Sequence, residues 1–297
     1  MGKSDINMLD LINHITRCVD CKKETMFFHK NTFRCNNCHR TYIFDKDGIL
    51  DAFPKNIQDT RIRSQKSEFF SKWLRAFKEE IEHWVIYKSS FFRFFSQSGH
   101  NEISNLLSTD TSDSLCVDFG CGPGFSQSIL KHPKYVGVDF NKDTLIQFKK
   151  NHPLSICIHS DMNNSPFGNN SIDTVISLHT LEHIYDIELA MVEINRILTK
   201  NGKFLFCIPT EGSLVWEIGR KLITKPNLRK RYGLDGSDVM EIEHLNDAKR
   251  VLKFIKWHFS IKSVKFLPFP IIPSISFNAC IVGDVRKADS NHPYKPL

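Results

Sequence analysis

The chain has 297 residues, more than one average domain, so two domains are the expected arrangement. Its 41% hydrophobic content is ordinary for a globular protein, and no apolar run approaches the roughly eighteen residues that span a bilayer, so no membrane span is expected. A net charge of +7 points only weakly to anionic partners; Arg61 to Arg93 and Arg220 to Lys265, which includes Arg229-Lys230-Arg231, read as solvated helix faces ahead of a nucleic-acid surface.

At the N-terminus, Met1 to Arg17 lacks a signal-peptide core, and Ile6 stands where a myristoylation motif needs Ser or Thr, so a cytoplasmic location is expected. Residues 1–12 read as a loose lead-in or short helix. Next come Cys18-x2-Cys21 and Cys35-x2-Cys38, with thirteen residues between the pairs. Each pair suits a tight knuckle that sets two thiolates on one side of a turn. Two knuckles together offer tetrahedral Zn(II) coordination with no open position, which makes such a metal structural. Two disulfides are the competing arrangement, although nothing in the sequence suggests an oxidising compartment. His39 is surplus to a four-thiolate set. From Thr41 to Leu50, apolar residues around Asp47-Gly48 suggest a strand and turn closing the module. The remaining cysteines, Cys116, Cys121, Cys157, Cys207 and Cys280, fall mostly on predicted strands and read as buried small hydrophobes.

Asp59 to Leu107 reads as helical, with Phe70, Trp73, Phe77 and Trp84 on one face. Phe91-Phe92-x-Phe94-Phe95 is denser than one stripe requires; core packing is the leading reading, with a lid, a lipid-contacting patch or an inter-module seam as alternatives. After a polar hinge at Thr109 to Ser114, strands and helices alternate, which implies a parallel sheet covered on both faces. Leu115 to Phe119 is a buried strand, followed by Gly120-Cys121-Gly122-Pro123-Gly124 and then a helix. Such a turn is a nucleotide cradle, since glycine lets the backbone come close to a ligand. Asp139 ends the next strand, where ribose hydroxyls are gripped. The glycines run G-x-G-x-G after Asp118, unlike the G-x-G-x-x-G of a pyrophosphate loop. Leu154 to Ile158, Ile172 to Leu178 and Lys203 to Phe206 are further strands, and Glu193 to Leu198 belongs to a helix. A helix over Leu245 to Trp257 and strands over Ile261 to Phe266 and Ser276 to Asp284 complete the order, the prolines of 268–273 breaking the ladder between the last two. Residues 288–297 form a flexible tail.

The run Val117 to Gly124, with Asp139, Ser160-Asp161-Met162, Leu178-His179-Thr180-Leu181-Glu182-His183 and Asn201-Gly202-Lys203, resembles the class I S-adenosyl-L-methionine (SAM) methyltransferases of the type 11 subfamily over about Ser112 to Lys287. The resemblance implies an α/β fold with a Rossmann-like, mostly parallel sheet and a final antiparallel strand. Within it, Gly120, Gly122 and Gly124 line the methionine and ribose side of SAM. Asp139 grips the ribose, Asp161 the adenine amine and Met162 the adenine face. Asp118 orients the loop or the SAM ammonium, and Phe140 and Leu178 supply apolar walls. The Cys18, Cys21, Cys35 and Cys38 module is similar to the zinc ribbon of the activator subunit of tRNA and release-factor methyltransferases. The resulting division is 1–57 zinc ribbon, 58–111 helical linker, 112–287 methyltransferase and 288–297 tail.

SAM is already activated, so catalysis is mostly positioning. His179, at the end of the fourth strand, is the first candidate for a general base, with a positioning role as its equal competitor. His183 is the second candidate, with a structural role in its turn favoured, and His244 and Glu211 are weaker ones. No Asn-Pro-Pro-Tyr follows the fourth strand, which disfavours methylation of exocyclic amines by that route. The type 11 core and the segment from Pro209-Thr210-Glu211-Gly212-Ser213 through Glu243-His244-Leu245-Asn246, which resembles bacterial stand-alone methyltransferases of surface-polysaccharide or secondary metabolism, imply a small-molecule or glycan acceptor, methylated at O or N. An rRNA or tRNA base, gripped by the ribbon, is the alternative, and an inactive binding fold is the third reading.

Overall fold

The computed structural model describes residues 11, 13–29, 32–55, 90–108, 114–210 and 244–288, with single positions at 221, 229, 230 and 233. The aromatic stripe from Phe69 to Trp84, the side chains of Phe91 to Phe95, Glu211, the lead-in 1–10 and the tail from 289 lie outside them. Two sheets carry the fold. The small one is antiparallel, from β1 (Met26–His29), β2 (Thr32–Cys35) and β3 (Thr41–Ile43) in that order.

The large sheet has eight strands: β4 (Ile49–Asp51), β5 (Cys116–Phe119), β6 (Tyr135–Asp139), β7 (Ile156–His159), β8 (Ile172–Leu178), β9 (Leu198–Pro209), β10 (Phe259–Leu267) and β11 (Cys280–Lys287). Their spatial order is β10-β11-β9-β8-β5-β6-β7-β4. All neighbours are parallel except β11, which runs antiparallel to both β9 and β10. The expected α/β architecture with a final antiparallel strand is what the structure shows. Strands β5, β6 and β8 are buried on nearly every residue, as a sheet covered on both faces requires.

The covering helices are α1 (Ser90–Leu107), α2 (Phe125–Leu130), α3 (Lys142–Asn151), α4 (Ile187–Ile197) and α5 (Ala248–His258). Three start on side-chain caps: Asn141, Asp186 and Asp247 accept from the N–H groups of Asp143, Leu189 and Arg250. No helix among the described residues is long and apolar enough to cross a membrane.

Among the boundaries that differ from the sequence expectation, two have a visible physical cause. The turn after β3 forms as expected, with Asp45 accepting from the N–H groups of Asp47 and Ile49 at 2.9 and 3.0 Å. The strand beyond it, however, leaves the small sheet with a single bridge (Phe44 to Leu50) and pairs in parallel with β7. Ile49 and Leu50 are both fully buried, a two-sided burial that a three-stranded ribbon cannot give and a large sheet's edge can. The last strand starts at Cys280 rather than Ser276, because the buried Asn278 side chain ties off the preceding loop. It accepts from Phe269 N–H and donates to the Ile272 and Ser274 carbonyls, holding that segment out of the ladder.

One buried carboxylate anchors the cysteine module to the large sheet's flank. Glu193 on α4 accepts from the Ser165 N–H and hydroxyl at 2.8 and 2.7 Å and takes a two-pronged grip from Arg196. Arg17, just before the first cysteine, lies 3.8 Å from the same carboxylate and donates to the Asn164 side chain at 2.7 Å. Glu193→Ala is expected to cost about 3 kcal/mol of unfolding free energy, because the buried Ser165 N–H and hydroxyl and the Arg196 Nε–H lose their acceptor. Denaturant unfolding measures it; a cost within experimental error would remove the anchoring role.

Candidate functional site

The carboxyl ends of β5, β6, β7 and β8 open on one edge, and the loops leaving them meet there. Gly120, Gly122 and Gly124 have φ of +77°, +52° and +89°. Two of them separate by what a side chain would meet. A Cβ at Gly120 would fall 2.2 Å from Thr180 Oγ1, so this glycine packs against the loop after β8. A Cβ at Gly122 would meet no atom within 4 Å, so that position faces open space. Thr180 also donates to the Gly120 carbonyl at 3.3 Å. Only glycine suits the first contact and the backbone sign at both.

Asp139 holds the loop from the next strand. Its Oδ2 accepts from Gly122 N–H at 2.8 Å and its Oδ1 from Asn141 N–H at 2.7 Å. Burial raises its pKa, and those two hydrogen bonds oppose the shift. Asp118 is buried deeper in β5, with Oδ2 accepting from the Tyr135 hydroxyl and Oδ1 without a hydrogen-bond partner. Burial pushes its carboxyl up to about 7, against the lowering effect of that hydroxyl.

After β7, Ser160 N–H donates to the Asp139 carbonyl at 3.1 Å, which brings Asp161 beside the same edge. Asp161 Oδ1 accepts from Asn163 N–H at 2.9 Å, and Met162 is buried. Phe140 meets Phe53 edge-on at 4.7 Å, and Phe53 stacks on His159 at 4.6 Å. Leu178 is buried at the end of β8. The cofactor-side residues singled out from sequence thus cluster along one rim. Phe53 was missed because its partners lie about a hundred residues away.

His179 follows β8 with φ of +53°, a left-handed conformation uncommon outside glycine, fixed by its N–H donating to the Cys207 carbonyl at 2.8 Å. Its ring lies 5.8 Å from His100 of α1, whose ring meets Phe125 edge-on. Burial lowers the His179 pKa to about 3, with His100 and His183 adding to the effect, so the imidazole is neutral. His100 is 3% exposed and was not legible as a site residue, since nothing local distinguishes it from a helix-surface histidine.

The next turn, Leu181–His183, is a short 3-10 helix. Glu182 is buried, burial pushing its carboxyl up to about 8, and its Oε2 has no hydrogen-bond partner. His183 lies 3.9 Å from Glu182 Oε1, and the His183 and His244 rings meet edge-on at 4.5 Å. Asn246 brings His244 there. Its N–H donates to the Glu182 carbonyl, and its side-chain amide donates to the Leu181 and Ile184 carbonyls.

Away from the sheet edge, the cysteine pairs form two matching knuckles. In each, the first cysteine's carbonyl accepts from the residue after the second cysteine (Lys22 and His39), and both residues have φ near +60°. The Sγ atoms of Cys18, Cys21, Cys35 and Cys38 all lie within 4.8 Å of one another. The Tyr42 hydroxyl lies 3.0 Å from Cys18 Sγ and the Thr25 hydroxyl 3.1 Å from Cys35 Sγ. His39 is exposed and stands outside the cluster.

Residues 117–206 match the family described as "Methyltransferase domain", type 11. An uncharacterized protein of Methanocaldococcus jannaschii is 29% identical over 178 residues, covering 58% of this chain and 75% of the relative. A demethylmenaquinone methyltransferase of Staphylococcus haemolyticus is 31% identical over 105 residues, 33% of this chain and 44% of the relative. A probable S-adenosylmethionine-dependent methyltransferase of Mycolicibacterium smegmatis is 24% identical over 112 residues, 37% of this chain and 43% of the relative. The chain thus spans less than half the length of the latter two. Among solved structures, a SAM-dependent methyltransferase of Thermotoga maritima shares the fold with a TM-score of 0.51 at 18% identity, covering 74% of this chain and 99% of that one.

The Gly120 contact makes a separable prediction. Gly120→Ala is expected to destabilise the fold by about 2 kcal/mol or more, from the clash with Thr180 and the left-handed backbone together. Adding Thr180→Gly removes the clash and leaves about 1 kcal/mol of backbone cost. Thermal unfolding of the single and double variants checks this; equal losses in both would show that Thr180 is not the obstacle.

Proposed function

We propose that the chain, which carries a SAM-dependent methyltransferase domain of the type 11 family, passes the methyl group to an oxygen or nitrogen atom of a small-molecule or glycan-type acceptor. The observation that carries this reading is the packing at the carboxyl end of β8, where the His179 ring lies 5.8 Å from His100, whose own ring meets Phe125 edge-on at 5.0 Å, so an imidazole stands among aromatic rings beside the glycine loop.

The residues fit SAM on their own geometry. Gly122 leaves open space where the cofactor comes close to the backbone, and the Asp139 carboxylate stands on the Gly122 N–H. Gly120, Gly122 and Gly124 line the methionine and ribose side, and Asp139 accepts from the ribose hydroxyls. Asp161 takes the adenine amine, Met162 and Phe140 its faces, and Leu178 the wall nearest the acceptor. Asp118 keeps one buried oxygen without a partner, which suits a cationic ligand. SAM supplies an activated methyl carbon, so the protein's task is alignment. His179, held as a neutral imidazole, accepts a hydrogen bond from the acceptor and fixes its approach, and His183 supports the same turn. Cys18, Cys21, Cys35 and Cys38 hold a structural Zn(II), for which four converging sulfurs with hydroxyl donors around them are a suitable set.

Two outcomes test this. The Asp118 pKa, raised to about 7, means that binding cationic SAM to the carboxylate displaces a proton below that pH. SAM affinity is therefore expected to rise about tenfold from pH 6 to pH 8, and to lose that dependence in Asp118→Asn. Calorimetric titration reads it, and a flat wild-type profile would detach Asp118 from the cofactor. In the second, His179→Asn is expected to lower kcat by about tenfold or more on a small hydroxylated or amine acceptor with labelled SAM. Because His179 is already neutral well above pH 3, no loss from its protonation is expected between pH 5 and 8. Full turnover by the variant would remove His179 from the acceptor, and salt-sensitive RNA binding by the wild type would favour an RNA acceptor instead.

A further inference from the structure

Three donors that the cofactor does not use meet at the loop after β8, two from the loop itself and one from the segment before α5. Glu182, His183 and His244 each direct one ligand atom to a common point, all within 4.8 Å of one another. We propose that these three residues form a second metal site, distinct from the four cysteines, that takes a divalent transition-metal cation with coordination positions left open toward the acceptor. Two imidazoles and one carboxylate are the donor set of zinc, iron(II), cobalt(II) and nickel(II) rather than of magnesium or calcium. Three protein ligands fall short of the four to six such ions take, so the remaining positions are left to water or substrate.

Four features of the fold support a built site rather than a chance cluster. Glu182 is 3% exposed and its Oε2 has no hydrogen-bond partner, an arrangement that is costly for a carboxyl group unless a ligand completes it. His244 comes from a segment sixty residues further on, and the three Asn246 hydrogen bonds to Leu181, Glu182 and Ile184 fix it over the turn. The edge-on ring contact of His183 and His244 converges the two side chains instead of splaying them. Metal–ligand bonds of about 2.1 Å would bring the donors about 3 to 3.5 Å apart, a contraction of a cluster already no wider than 4.8 Å.

The position gives the metal a use. Glu182 stands two residues past Thr180, which packs on Gly120 of the glycine loop, so the cation would lie beside the proposed cofactor site. An acceptor hydroxyl bound to the metal loses its proton to bulk water. The oxyanion then attacks the methyl carbon, and the carbon–sulfur bond breaks with its electron pair returning to sulfur, leaving a methyl ether and neutral S-adenosylhomocysteine. On this account the acceptor atom is oxygen, preferably beside a second oxygen that completes a chelate. That last step rests on the methyl-transfer reading above; the metal site does not.

The test is metal binding by the full-length chain, stripped and reloaded with cobalt(II). About two ions per chain are expected, one giving sulfur-to-cobalt charge-transfer absorption and one giving only the weak bands of nitrogen and oxygen ligation. Glu182→Gln and His244→Ala are each expected to reduce the count to about one with the sulfur band intact. The intact sulfur band also shows that the variants are folded. A wild-type count of about one, all of it in the sulfur band, overturns the proposal, as does a count of about two in both variants. A measurement needing no variant is paramagnetic resonance of the copper(II)-loaded wild type, where coupling to two nitrogens at the second site is expected and its absence overturns the assignment. Failure of the methyl-transfer reading would look different: a full second site with no turnover on any hydroxylated acceptor.

Discussion

The contact on which the site depends is between Gly120 and Thr180. The two residues lie sixty positions apart on loops leaving adjacent parallel strands, and they approach so closely that a single Cβ would not fit. This interlock fixes the loop after β8 against the glycine loop. It thereby ties the backbone on either side of Thr180, and with it His179, Glu182 and His183, to the glycine loop. Were Thr180 to sit farther out, the carboxyl-end crevice would still exist, but the acceptor-side groups would have no fixed relation to it. The left-handed backbone at His179 follows from the same constraint, since the chain must turn sharply to bring Thr180 inward after a straight buried strand.

A second dependence runs from the N-terminal module to the same edge. The chain leaves the cysteine knuckles through β3 and adds β4 to the outer side of β7, so the module continues the large sheet. Its buried residues, among them Leu11, Ile15, Phe33 and Tyr42, share one apolar cluster with Phe119, Val138 and Phe167. Just past β4, Phe53 packs between Phe140 and His159, while Arg40 of the second knuckle donates to the Phe53 carbonyl at 2.6 Å. A disturbance at the knuckle therefore has a short physical route to the rim where Asp139 and Phe140 stand. That route is a contiguous chain of hydrogen bond and ring packing.

Local signals account for what was legible in the sequence. The glycine spacing, the acid ending β6, the paired cysteines and the alternation of strand and helix each sit within a few residues of themselves, and each stands where it was expected. Long-range pairing accounts for what was not. Whether Ile49-Leu50 closes a ribbon or extends a sheet depends on β7, a hundred residues away, and the two options have the same local pattern. His100 and His244 reach the mouth only because α1 crosses β9 and β11 and because Asn246 is captured by the 181–184 turn. No periodicity announces either event. Asn278 is a third case: its buried amide decides where β11 begins, whereas the sequence shows only an apolar run after three prolines.

The electrostatics of the mouth bind these observations together. Asp118 and Glu182 are buried and Asp139 is half-buried, desolvation raises the pKa of each, and the first two keep an oxygen without a hydrogen bond. The histidines nearby do not compensate, because burial keeps His179 and His244 neutral, each with a pKa lowered to about 3. A crevice with desolvated acids and uncharged imidazoles is costly when empty, since burial opposes the ionised form of each carboxylate. Arrival of positive charge changes the balance, as each cation bound there returns a carboxylate to the ionised state that its burial opposed. The proposed cofactor brings such a charge on its sulfur, and the proposed metal brings another beside Glu182. Methyl transfer then removes the first of these, because the sulfonium becomes a neutral thioether. The ammonium that faces Asp118 stays on the spent cofactor, so methyl transfer lowers the positive charge in the crevice without removing the contact that Asp118 makes.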